Sequence, residues 1–164
     1  MKKACVIWMA LLSWTCWAGN LTIKLEPSEI RTSMSSFEED HLDLVLREGT
    51  NVLDRVYLYS SYGLADAKLV SDALKTRYAV VRHGQGRGTH VREEFISVFK
   101  VGRRLTELVR FPLKGPAGET ADWEYVYVLE HPKNGGLKFA MSLRVTGKKA
   151  VYVPEDKNRA VLVK

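Results

Sequence analysis

The sequence predicts a mainly β protein: an antiparallel sandwich or barrel-like sheet of about eight to ten strands, with at most one short helix. Three observations point there. Apolar and polar residues alternate with period two through most of the chain. Glycine-rich turn chemistry separates several of these runs. Helical spacing appears in only one segment.

The strands follow in chain order. Leu21–Leu25, Leu42–Leu46, Arg55–Tyr59 and Tyr78–Arg82 alternate and are rich in β-branched and aliphatic residues. Glu94–Val101 and Leu105–Phe111 flank Gly102-Arg103-Arg104, a hairpin turn. Asp122–Glu130 is the clearest strand. It places Trp123, Tyr125, Tyr127 and Leu129 on one face and Glu124, Val126, Val128 and Glu130 on the other. The Asn134-Gly135-Gly136 turn leads into Leu137–Val145, and Thr146-Gly147-Lys148-Lys149 ends that strand. Ala150–Val153 and Ala160–Val163 complete the set. Lys114–Ala121, with Gly115, Pro116 and Gly118, reads as a surface loop. Leu64–Lys75 places apolar residues at 67, 70 and 74, which predicts a short helix; a strand at Lys68–Val70 is the alternative.

The first eighteen residues are of a different character. Lys2 and Lys3 precede an apolar run from Ala4 to about Leu12, and Cys16-Trp17-Ala18 fits a small-x-small cleavage site. This is the pattern of a secretory signal peptide. The run falls short of the ~20 apolar residues of a membrane span, so membrane attachment is expected only through an uncleaved leader. Removing 18 of the 164 residues leaves 146, read as a single β-rich domain, 19–164. The formal charge falls from +6 to +4 with the two lysines. Both cysteines and three of the four tryptophans leave as well, and Trp123 remains. The expected mature protein is periplasmic or secreted and has no disulfide, thiolate ligand or cysteine nucleophile. Its fold must rest on its core, which a domain of this size can build.

Chemistry is sparse. Neither Gly-x-Ser-x-Gly nor HExxH occurs. The adjacent pairs Glu38-Glu39 and Glu93-Glu94 point to opposite sides of a strand and make poor acid/base partners. No catalytic residue, metal site or cofactor is therefore assigned. Nucleic acid is not expected outside the cell at so modest a charge.

The unusual stretch is Arg82-His83-Gly84-Gln85-Gly86-Arg87-Gly88-Thr89-His90, running on to Arg92. Alternate glycines permit close backbone approach. Arginine forks suit carboxylates and phosphates. The glycine spacing does not match a phosphate-binding loop, and a strand follows rather than a helix. The stretch is either a glycine-bulged hairpin with solvated arginines or a recognition loop for an acidic cleft. Trp123, Tyr125 and Tyr127 are either core or a ligand platform.

The segment Tyr78–Phe95, a Val-Val-Arg strand running into a glycine loop and then acidic and aromatic residues, resembles the periplasmic inhibitors of invertebrate-type lysozyme and related interbacterial immunity proteins. In that group the loop enters the cleft of the target enzyme. The family's Ser-Gly-x-x-Tyr element is replaced here by Gln85-Gly86-Arg87-Gly88 followed by Thr89-His90. The resemblance implies an exported protein-binding domain, an inhibitor or immunity protein, whose Arg82–His90 loop fills the cleft of a cell-wall-degrading or toxic enzyme. A carbohydrate or envelope-ligand-binding module using Trp123, Tyr125 and Tyr127 is the first alternative, and a cryptic envelope hydrolase the second.

Overall fold

The computed structural model describes residues 20–28, 41–59, 65–85 and 93–164. The expected leader lies outside them. Among the described residues the protein is all-β, with ten antiparallel strands: β1 Leu21–Pro27, β2 His41–Glu48, β3 Asn51–Tyr59, β4 Ala65–Ser71, β5 Arg77–Gln85, β6 Glu93–Val101, β7 Leu105–Pro116, β8 Ala121–Glu130, β9 Leu137–Gly147 and β10 Asn158–Val163. They form a three-stranded sheet, β1-β2-β3, and a seven-stranded sheet, β10-β9-β8-β7-β6-β5-β4. The arrangement is the expected sandwich type, and neither sheet closes into a barrel.

The larger sheet bends sharply where β7 meets β8. Strand β7 pairs with β6 from Val101↔Leu105 to Glu94↔Lys114. It pairs with β8 only at Lys114↔Glu124, Gly115↔Trp123 and Pro116↔Asp122. Beyond these three pairs the strands diverge, and the two halves of the sheet face each other. Tyr78, Val80, Ile96, Val98, Phe111 and Leu113 from one half share a single core with Tyr125, Leu137, Phe139, Met141 and Val163 from the other. Phe111 and Phe139 meet edge to face across it, with centroids 5.2 Å apart. At the bend the Trp123 ring lies over Gly115, its cross-strand partner, where a Cβ would come within 2.7 Å of it.

A second core lies on the other side of β5 and β6. Leu44, Leu46 and Leu58 of the small sheet pack on Ala79, Val81, Phe99, Val101 and Leu105. Strands β5 and β6 therefore form a middle layer buried on both faces. Residues 78–81 and 96–99 are accordingly buried without alternation.

Three expected elements are corrected. Within the expected helix Leu64–Lys75 the described residues, from Ala65 on, are not helical: Ala65–Ser71 pairs with β5 throughout, from Ala65↔His83 to Ser71↔Arg77. Ala67 packs on one core and Val70 on the other. Two faces served three residues apart imitate helical spacing. Ala150–Val153 is not a strand but an irregular part of the β9–β10 connection. Lys114–Pro116, read as loop, extends β7, which shortens the connection to 117–120.

Candidate functional site

The strand directions sort the connections into two kinds. At one end lie the turns after β4, β6 and β8, and that of Gly49-Thr50 between β2 and β3. They are two to six residues long. The three longest connections, β1–β2, β5–β6 and β9–β10, leave from the other end, with the shorter β3–β4 and β7–β8 connections beside them. The β5–β6 hairpin leaves from the pair Gln85↔Glu93. Because Glu94 pairs with Lys114, and Lys114 with Glu124, the β7–β8 connection is at the same end. The pair Ala121↔Gly147 brings the β9–β10 connection there too. The β1–β2 and β3–β4 connections join this end, since Pro27 pairs with Leu42, His41 pairs with Tyr59, and Ala65 pairs with His83.

The proposed recognition residues divide in this setting. Arg82 and Glu94 form an ion pair, with Arg82 Nε 2.7 Å from Glu94 Oε2 and the Arg82 Nη2 atom closer still. The same Nη2 lies 3.8 Å from Glu124 Oε1 on β8. Glu94 is buried while Arg82 is half-exposed. The guanidinium thus ties the hairpin base to the strand beyond the bend. Lys114 and Asp122 lie 3.8 Å apart beside it.

His83 is buried and stacks on Phe95 at 6.0 Å between centroids. Its Nε2 lies 3.0 Å from Ser97 Oγ. Ser97 donates to Glu107 Oε1 at 3.1 Å and accepts from Arg110 Nε at 3.1 Å. Arg110 also donates to both Glu107 oxygens, at 2.9 and 3.3 Å. The single hydroxyl proton of Ser97 is committed to Glu107, so His83 donates from Nε2–H. Histidine, serine and carboxylate here do not make a nucleophilic triad. Glu107 accepts from Ser97, and both His83 and Ser97 are closed to solvent. The network satisfies polar groups at the base of the hairpin.

Gly84 is buried opposite Glu94, and Gln85 ends β5. Gly86, Arg87, Gly88, Thr89 and His90 lie outside the described residues.

The aromatic face of β8 turns inward. Tyr125 is buried, and its hydroxyl donates to the Asp156 carbonyl at 3.0 Å. Burial pushes its pKa above the ordinary phenol value. Trp123 packs edge-on against Tyr125 at 5.7 Å, and Tyr127 against Phe139 at 5.5 Å. All three belong to the larger core.

No family model, curated protein or solved structure matches this chain. Among the described residues no group of three or more His, Cys, Asp or Glu side chains is placed to hold a metal ion. No helix there is long and apolar enough to cross a membrane.

Sequence reasoning did not find Ser97, Glu107 and Arg110, which come from two strands and match no local motif. It also missed Glu94 and Glu124 as partners of Arg82. The period-two pattern put Glu94 on a strand, but its partner was hidden in the register.

Proposed function

We propose that this chain is an exported protein-binding domain of the inhibitor or immunity class, recognising its target through the end that carries the long connections. The observation that carries this reading is the grouping of the three longest connections at that end, around a hairpin whose strands are buried on both faces over residues 78–81 and 96–99. A rigid base is what a loop needs to enter a cleft without losing much conformational freedom. Arg82 and His83 serve that base, and recognition falls to the residues beyond Gln85. There the sequence offers Arg87, His90 and Arg92 to the carboxylates of an acidic cleft. The inward face of Trp123, Tyr125 and Tyr127 lends no support to the carbohydrate-platform alternative.

The reading is tested with the purified full chain against a panel of peptidoglycan hydrolases of differing cleft charge. Inhibition of an enzyme with an acidic cleft, abolished by Arg87→Glu, is expected. No inhibition of any member, together with no protection of cells exposed to such enzymes, would sink it.

A further inference from the structure

The end of the short turns carries a charge imbalance. The β4–β5 turn and its flanks supply Lys75 and Arg77, the β6–β7 turn Lys100, Arg103 and Arg104, and the β8–β9 turn Lys133. All but the half-buried Arg77 are exposed, and none of them forms an ion pair among the described residues. The acids near them are mostly engaged. Asp72 is buried and accepts from the Leu74 and Gly136 amides. Glu130 pairs with Lys138, and Glu107 with Arg110, both at 2.9 Å. Asp54 accepts from the Leu105 and Arg55 amides at 2.7 and 3.0 Å. That leaves Glu48, beside the β2–β3 turn, to offset the cations. At the opposite end Lys114, Lys148, Lys149, Lys157 and Arg159 are matched by Glu119, Asp122, Glu124, Glu155 and Asp156.

The three basic turns form one surface. Arg77 pairs with Val101 across β5 and β6, so the β4–β5 and β6–β7 turns are neighbours. The bond from the Gly136 amide to Asp72, at 2.7 Å, draws the β8–β9 turn against the β4–β5 turn, and the Leu74 side chain lies over Gly135. Leu74 is 65% exposed, a large apolar side chain among the cations. Lys75 holds φ of +66°, a conformation that glycine adopts freely and lysine rarely. Glycine would serve the turn with less strain, so what the lysine adds there is its charge.

We infer that this end docks on an anionic lipid bilayer, with the basic turns among the headgroups and Leu74 entering the interface. Unpaired lysines and arginines on long side chains are what anionic headgroups attract, and an apolar side chain among them adds buried area. A single small anion would need donors converging on one pocket, whereas these cations are carried outward on three turns. The turns hold no Phe, Trp or Tyr. They therefore lack the stacking platform of a single-stranded nucleic-acid site and the aromatic anchor of a protein interface. With this end on a bilayer the longest connections face away from it, and the inference does not depend on the protein-binding reading above.

The test is co-sedimentation of the purified full chain with vesicles of phosphatidylcholine and phosphatidylglycerol, in a ratio of roughly two to one, and of phosphatidylcholine alone, in about 0.1 M salt. The expected result is binding to the mixed vesicles only, lost in about 1 M salt. Arg103→Gln, Arg104→Gln and Lys133→Gln together should weaken it at least about tenfold. Lys148→Gln, Lys149→Gln and Lys157→Gln together should leave it within about twofold, since their acidic neighbours already balance them. Lys75→Gly should weaken binding about fivefold without lowering the melting temperature, because it removes a charge and relaxes the backbone. Equal binding to both vesicles, as an apolar leader would give, overturns the inference. So does no binding to either, equal loss from the two triple variants, or unchanged binding in Lys75→Gly. Release from the mixed vesicles by polyglutamate at an equal concentration of charge would assign the surface to an acidic protein instead.

Discussion

Asp72 and Gly136 are 64 residues apart in the chain, yet the Gly136 amide donates to Asp72 Oδ2 at 2.7 Å. The same carboxylate accepts from the amides of Leu74 and Thr76 at 2.9 and 2.8 Å, and from the Tyr78 hydroxyl at 3.2 Å. It thereby joins the β4–β5 turn to the β8–β9 turn. These turns belong to the two halves of the bent sheet, so Asp72 locks the closed side of the larger core at the short-turn end.

Acid should unlock it. The Gly136 amide, against the pull of burial and with help from the Thr76 and Leu74 amides, holds the Asp72 carboxyl below its ordinary value. A depressed native pKa contributes stability above the unfolded value, near pH 4, that is lost as pH falls through the native value. Thermal melts between pH 6 and 2 should show this loss in the wild type and a flatter acid limb in Asp72→Asn. At neutral pH the variant should melt lower, by on the order of 5 °C. The alkaline limb has a parallel cause. Burial pushes the Tyr78 and Tyr125 hydroxyls up. Their contribution is present below about pH 10 and fades above it.

Gly136→Ala should be among the most damaging small substitutions. Gly136 has φ of +82°, and a Cβ there would collide with the Val163 carbonyl. The strained backbone and the clash together should cost about 3 kcal/mol, read as a shift in urea midpoint with little change in slope.

Ser97→Ala removes the hub that serves His83, Glu107 and Arg110. The loss should destabilise the protein by about 1–3 kcal/mol. Because the hydroxyl is buried and its proton is held by Glu107, a fluorophosphonate probe should leave Ser97 unlabelled in the native wild type. Labelling in the native state would contradict the structural role assigned to it.

The two arginines of the hairpin should separate. Arg82→Ala takes the guanidinium from the buried Glu94 and should cost about 1–2 kcal/mol, discounted because Arg82 itself is half-exposed. Arg87→Glu should leave the melting temperature within about 2 °C and act on binding alone. A large fall in stability for Arg87→Glu with none for Arg82→Ala would reverse the assignment.

Much of the fold was legible from local pattern. The strand of Trp123, Tyr125 and Tyr127 was readable because one face meets the core and the other meets water, and period two records that contrast. The same logic misread Leu64–Lys75, where Ala67 and Val70 serve two different cores. It also misread Ala150–Val153, whose apolar residues suit a strand that the fold does not supply. For the candidate site, the sequence singled out the Arg82–His90 stretch but had no means of dividing it. Arg82 and His83 became structural only through Glu94, Glu124 and Ser97, which strand register brings beside them.

The sequence by itself determined the β class, the places where the chain turns and the inward face of each half-buried strand. These depend on neighbours along the chain, whose spacing is set by backbone geometry. The tertiary structure alone decided the bend between β7 and β8, the layer buried on both faces, the clasp of Asp72 on Gly136 and the gathering of the three longest connections at one end. Each depends on which distant strands pair and in what register, and a period-two pattern is the same for every partner a strand might take.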